Sequence, residues 1–269
     1  MKKRRTIGLA LGSGGIRGFA HIGVIKKLLE NNIPIDYIAG CSIGAWVGAH
    51  YALYKDLDKL EELTVQKQKE KLLTFIEPTL NGGVIKGRKV EKLLTEWTED
   101  SDFFDTKIPL QIVATDIHDG STVVLNTGKL APAIRASMSI PTVFEPLKYQ
   151  DKTLIDGGIS NPVPDDIVKQ MGADIVISVN LDNYIKNGEF TEKQSRSLVK
   201  TSTRSLNILR YHLSKYSTTS SDVIIEPHTP TIGVHSFKQY FTNKVGVDLI
   251  KKGEEETEKH IAKIKELLK

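Results

Sequence analysis

The stretch Ile38-Ala39-Gly40-Cys41-Ser42-Ile43-Gly44-Ala45 constrains this chain more than any other. An apolar run stops at one serine held between two glycines, and a helix-like pattern follows, so the spacing is G-x-S-x-G at a strand-to-helix turn. Such a sharp turn leaves its apex residue strained and exposed, and side chains two positions either side would collide. Gly40 and Gly44 remove the collision. Taken alone, the pattern fits an activated serine or a small-residue turn without chemistry. The rest of the chain has to decide between them.

Thr6 to Leu11 reads as a buried strand and runs directly into Gly12-Ser13-Gly14-Gly15-Ile16-Arg17-Gly18. Ile22, Ile25, Leu28 and Leu29 then recur at helical spacing. A glycine loop feeding a helix N-terminus presents unpaired N–H groups that stabilise negative charge. Three readings compete for this loop. A dinucleotide fingerprint G-x-G-x-x-G is out of register, because counting from Gly12 puts Arg17 where the third glycine belongs, and starting one residue later puts Ser13 where the first belongs. A Walker A loop is excluded because no G-K-[S/T] closes the pattern. An oxyanion hole of backbone amides, or a plain tight turn, remains.

Further strands are expected at Ile35 to Gly40, Ile108 to Ile117 with a hairpin-like partner at Ser121 to Asn126, Asp151 to Ile155, Ala173 to Leu181 and Asp222 to Glu226. Helices are expected at Ala45 to Tyr54, Asp56 to about Ile76, Arg88 to Thr98, Ala131 to Met138, a segment ending near Met171, and Ser195 to Lys215. The tail from Val245 ends in a helix that turns Ile261, Ile264, Leu267 and Leu268 inward. Gly82 to Gly87 reads as a loop, and Ser139 to Pro146 as a rigid proline-bounded loop with an apolar wall. In the Ser195 to Lys215 helix, Leu198, Leu206, Leu209 and Leu213 are accompanied by Arg196, Lys200, Arg204, Arg210 and Lys215. That basic face is either a solvated flank or a surface for anionic lipid.

At 269 residues the chain can bury a full α/β core without staples. Its single cysteine, Cys41, leaves no intrachain disulfide and no cysteine-based metal cluster, and suits a reducing, cytoplasmic compartment. A formal charge of +4 favours anionic surfaces, but no basic patch with interleaved aromatics marks nucleic-acid binding. The basic start, Met1 to Arg5, is followed by too short an apolar run for a signal peptide. No stretch approaches the ~20 apolar residues of a membrane span, so the protein is expected to be soluble or at most peripheral to the inner face of a membrane.

Serine needs a base to take its proton, and acyl transfer needs N–H donors where the carbonyl oxygen becomes negative. Ser42, the glycine loop and Asp156-Gly157-Gly158 supply those parts, each at a predicted strand end. In this order, Gly14-Gly15-Ile16-Arg17-Gly18, Gly40-Cys41-Ser42-Ile43-Gly44 and Asp156-Gly157-Gly158 resemble the signature of the patatin-like phospholipases. The resemblance extends through Ser139-Ile140-Pro141, Phe144 and Pro146, and covers about Thr6 to Asp165. It implies a three-layer α/β/α fold with a mainly parallel sheet, and hydrolysis of phospholipid, lysophospholipid or simpler acyl esters without metal or cofactor. Ser42 would be the nucleophile and Asp156 the base. The amides of Gly14, Gly15 and Ile16 would form the oxyanion hole, and Arg17 would help hold that loop. Residues 166–269 would complete the same single domain.

The chain departs from the family pattern at Ser13, where the loop usually has its first glycine. The loop shape survives unless that position requires positive φ. The family normally keeps no triad histidine, although His212, His228 and His235 follow Asp156 in the order such a triad would use. His21 reads as a helix residue behind the loop, His118 as a loop residue at a strand end, and Cys41 as a small hydrophobe beside the turn. Two other readings remain: a Rossmann-type dinucleotide binder using Asp36 as its ribose-binding acid, and a catalytically silent regulator on the same fold.

Overall fold

The computed structural model describes residues 4–62, 77–183, 190–229 and 243–269. Most of the helix expected at 56–76, and His235, lie outside these residues. The chain opens with β1 (Ile7–Leu11), α1 (Ala20–Glu30), β2 (Tyr37–Cys41), α2 (Ile43–Tyr54) and a short α3 (Leu57–Glu61). Then come β3 (Gly83–Ile85), α4 (Arg88–Trp97), β4 (Leu110–Asp116), β5 (Thr122–Leu125) and α5 (Leu130–Ser137). The strands β6 (Thr142–Phe144), β7 (Leu147–Tyr149) and β8 (Lys152–Asp156) lead to α6 (Asp165–Gln170) and β9 (Ile175–Val179). The described chain closes with α7 (Glu192–Ser195), α8 (Leu198–Tyr216), β10 (Val223–Ile225), α9 (Asn243–Glu258) and α10 (Ile261–Leu267).

The main sheet has the order β10-β9-β1-β2-β4-β8-β7, with β5 also paired to β4. The strands from β10 to β4 are parallel, and β8, β7 and β5 are antiparallel to their neighbours. Side chains alternate across β1, so Ile7, Leu9 and Leu11 enter one core with residues of α1, α2, α4, α5 and α9, while Ala10 enters a smaller core against Val163, Ile167 and Val168 at α6. The α1–α9 contact is a backbone contact: a Cβ on Gly23 would stand 1.9 Å from the Ile250 carbonyl oxygen.

One register detail positions the site. β5 occupies one edge of β4 from Ile112 to Thr115. β2 and β8 must therefore share the other edge, β2 pairing Leu110 to Val113 and β8 pairing Ala114 to Asp116. β2 runs parallel to β4 and ends with Cys41 opposite Val113; β8 runs antiparallel and ends with Asp156 opposite Ala114. The two strands thus stop head to head, which brings the residue after Cys41 up to Asp156.

Two segments expected to be loops carry strands. β3 pairs in parallel with β6, Gly83 with Thr142 and Ile85 with Phe144, as a separate two-stranded ribbon. The reason is a buried cation at long range in sequence. Arg135, 1% exposed, donates to the carbonyls of Gly87, Lys86 and Glu145 at 2.9–3.2 Å and to Ser139 Oγ at 2.6 Å, and lies 4.9 Å from the Phe144 ring centre. Burial pushes its pKa down to about 10, which still leaves it charged at neutral pH. Arg135→Met should lower unfolding free energy by about 2–4 kcal/mol in urea titrations, because three buried or half-buried carbonyls lose a charged donor. The helix expected from Ser195 to Lys215 is α8, which starts three residues later because Ser197 caps it by accepting from the Lys200 amide, and the short α7 precedes it.

Candidate active site

Ser42 sits between β2 and α2 at φ 54 and ψ −120, a conformation that costs a non-glycine residue energy. Its amide donates to Ser137 Oγ at 2.7 Å, and that hydroxyl donates to the Val113 carbonyl at 2.6 Å. Its carbonyl accepts from the amides of Ala45 and Trp46, so the first turn of α2 locks the apex. The flanking glycines are required by close approach. A Cβ at Gly40 would lie 2.6 Å from Ala45 Cα, and one at Gly44 would lie 2.1 Å from the Leu11 carbonyl oxygen. The obstacle at Gly44 is thus the end of β1, not the opposite arm of the turn. A Cβ at Gly18 would likewise strike the Ile43 side chain.

Asp156 is 5% exposed and accepts from Ser42 Oγ through Oδ2 at 2.6 Å. Its Oδ1 accepts from the Gly158 amide at 2.8 Å, and its backbone carbonyl accepts from Thr115 Oγ1 at 3.0 Å. Gly157 lies against the Val113 carbonyl and Cys41 Sγ, and Gly158 against Ser13 Oγ. Removal from water raises the Asp156 pKa above its ordinary value; the Ser42 hydrogen bond, the Arg210 charge and the Gly158 amide oppose this without cancelling it.

The glycine loop is tied down at its first two residues. The Gly12 amide donates to Val179 O at 3.1 Å and the Ser13 amide to Pro162 O at 2.8 Å. A 3-10 helix covers Gly15–Phe19, with Gly15 at φ 57. Its first-turn amides have no intrahelical acceptor. The Gly14 amide likewise meets no backbone acceptor among the described residues. Arg17 is buried and donates Nε to Gly14 O at 3.1 Å and Nη1 to Leu181 O at 2.5 Å, so its side chain braces the loop. Ser13 is not among the positive-φ residues, and its hydroxyl accepts from Arg210 at 2.7 Å. Asp182, 1% exposed, bridges Arg17 at 3.4 Å and Arg210 at 3.0 Å.

Ser137, Asp182 and Arg210 were invisible as site residues in the sequence. Each acts across a long stretch of chain, and none sits in a motif. A cavity of about 450 Å³ begins beside Gly158 and Arg210 and continues between the proline loop and α8, lined by Ile140, Pro141, Val143, Ile159, Leu206 and Leu209. That size is ordinary for a small-molecule site.

No histidine among the described residues hydrogen-bonds Ser42 or Asp156. His21 is fully buried in α1 and donates Nε2–H to Gly12 O at 2.7 Å, and burial pushes its pKa down to about 4, so it is neutral. His118 and His228 are exposed, and His212 packs edge-on to Tyr211. Asp36 does not lie where a dinucleotide-binding acid would. It precedes β2, accepts from the Ile7 amide at 2.7 Å and pairs with Arg4 at 2.6 Å, which places it at the end of the sheet opposite the glycine loop. Among the described residues no His, Cys, Asp or Glu cluster could hold a metal ion.

An uncharacterised NTE-family protein of Mycobacterium bovis is 36% identical over 177 residues, covering 65% of this chain and 49% of that protein. Human patatin-like phospholipase domain-containing protein 6 is 33% identical over 183 residues, 65% of this chain and 13% of the human one. The chain therefore spans half or less of the length of these relatives. VipD from Legionella pneumophila superposes with a TM-score of 0.55 at 12% identity, covering 97% of this chain and 67% of that one, a likeness of fold. The family model for patatin-like phospholipase matches residues 9–168, the span that carries the serine turn, the glycine loop and Asp156, and the chain belongs to the patatin-like phospholipase family.

Proposed function

We propose that this chain is a serine acyl hydrolase that cleaves carboxylic esters of lipids through a Ser42–Asp156 dyad and an acyl-enzyme. The observation that carries this reading is the 2.6 Å hydrogen bond from Ser42 Oγ to a buried carboxylate. Asp156 takes the Ser42 proton as Oγ bonds to the ester carbonyl carbon, and the carbonyl oxygen becomes an oxyanion held by the Gly14, Gly15 and Ile16 amides. The tetrahedral intermediate then breaks its bond to the leaving alkoxide, which receives the proton from Asp156. Water repeats the sequence: Asp156 deprotonates it, it attacks the acyl carbon, and Ser42 regains its proton as the fatty acid leaves.

Burial serves this cycle. An ordinary aspartate, with a pKa near ~3.9, is a weak base toward serine. A raised pKa makes Asp156 a stronger base in the first half-step and a usable acid in the second. The apolar cavity beside Gly158 supports a lipid acyl chain as the group presented to Ser42. No helix among the described residues is long and apolar enough to cross a membrane. The reading includes a cytoplasmic site of action, which suits a lone, buried Cys41.

A panel of phospholipid, lysophospholipid and monoacylglycerol substrates, run with wild type and Ser42→Ala in parallel, tests it. Fatty-acid release by the wild type should fall by at least about 10⁴-fold in the variant. Turnover that survives Ser42→Ala would rule the serine mechanism out.

A further inference from the structure

α8 leaves most of its apolar residues uncovered. An ordinary surface helix buries its apolar stripe and exposes its polar one. Here Leu198, Leu206, Leu209 and Tyr216 are 83%, 61%, 65% and 77% exposed. The inward side is mixed: Ser214 is fully buried, Arg210 reaches Ser13 and Asp182, and Thr203, Asn207 and Leu213 line the cavity, while Thr201, Ser205 and His212 are exposed beside the leucines. Leu198, Leu209 and Tyr216 follow one another at about three and then two helical turns, so they form a line and not a scatter of single residues.

Charge indicates what would cover this face. Between Leu198 and Tyr216 the chain carries Lys200, Arg204, Arg210 and Lys215 and no carboxylate. Arg210 is engaged by Asp182, while Lys200 and Lys215 are exposed. A second copy of the same helix would bring like charges together across the contact. The outer face is also continuous with the cavity, because Leu206 and Leu209 belong to both. A partner that supplies acyl chains would feed the cavity through this edge.

We propose that α8 is a docking surface for an anionic lipid bilayer, its leucines and Tyr216 entering the headgroup–acyl boundary while its lysines face anionic headgroups. Docked this way, the edge of α8 at Leu206 and Leu209 opens the cavity beside Gly158 toward the lipid.

Vesicle binding of the full chain carrying Ser42→Ala tests this without lipid being consumed. The protein should sediment with phosphatidylcholine vesicles containing phosphatidylglycerol, and at least about tenfold less with phosphatidylcholine alone or in high salt. Leu198→Ser with Tyr216→Ser, positions outside the cavity, should weaken the binding at least about tenfold. The same pair in the active chain should leave hydrolysis of a short soluble ester and the thermal melt unchanged. Absence of binding to the anionic vesicles, equal binding by the substituted chain, or a solution dimer that dissociates on these substitutions would each overturn the proposal. If the wild type binds vesicles but hydrolyses no ester, the hydrolase reading fails and the docking surface stands.

Discussion

Asp156→Asn should lower kcat for ester hydrolysis by at least about 10³-fold and at the same time raise the melting temperature at neutral pH. The loss follows from the proposed dyad, since an amide cannot accept the Ser42 proton and no histidine among the described residues stands in for it. The gain follows from linkage. Desolvation raises the Asp156 pKa in the folded state, so between its unfolded and folded values the native chain holds the proton more tightly than the unfolded chain does. Stability from this group is therefore highest in acid and falls as pH rises through that window. Above the window the buried charge costs its full amount. Asparagine removes this cost, and its carbonyl can still accept from the Gly158 amide, now 2.8 Å from Oδ1. The same shift sets the acid limb of activity: kcat/KM should fall with decreasing pH at a value above the usual aspartate range, and the limb should vanish with the activity in Asp156→Asn. A variant with normal kcat or a lower melting temperature would contradict this placing of strain at the active carboxylate.

Gly44→Ala should be a costly single methyl, lowering unfolding free energy by about 3–5 kcal/mol and the melting temperature by about 6–20 °C. The new Cβ would stand 2.1 Å from Leu11 O and 2.7 Å from Gly12 O, both backbone atoms. Side chains can rotate away from a methyl, whereas here β1 and the start of the glycine loop would have to move. Gly12 O is also the acceptor of the His21 hydrogen bond, so the displacement passes into the glycine loop whose amides are proposed to hold the oxyanion. Activity should fall further than the fraction folded. Thermal melts followed by tryptophan fluorescence, paired with ester turnover at low temperature, separate the two effects. A melting temperature within ~2 °C of wild type would mean that β1 and α2 are not packed as described.

The polar parts of the candidate site were legible in the sequence because they are local. Glycines on either side of Ser42, the glycine run before α1 and the Asp-Gly-Gly turn each advertise a backbone geometry within a few residues. What stayed hidden depends on tertiary contact. The head-to-head arrival of β2 and β8 along one edge of β4 is a matter of register, and nothing local in Lys152–Asp156 says that this strand runs antiparallel. The ribbon of β3 and β6 inside two expected loops is held by Arg135, some fifty residues from Lys86. Ser13, read as a tolerated departure, gains a partner in Arg210, 197 positions away. α8 is the clearest case. Its apolar period reads as a buried stripe, and only the exposure of Leu198, Leu206 and Leu209 in the fold shows that most of it is uncovered.

The most direct test of the account is the rate at which a fluorophosphonate labels the protein, with the modified residue located by peptide mass spectrometry. Phosphonylation is expected at Ser42 alone in the wild type, and at least about 10³-fold more slowly in Asp156→Asn, since only an activated serine attacks the probe at a useful rate. Labelling elsewhere, or Ser42 labelling at equal rates in both proteins, would contradict a serine activated directly by Asp156.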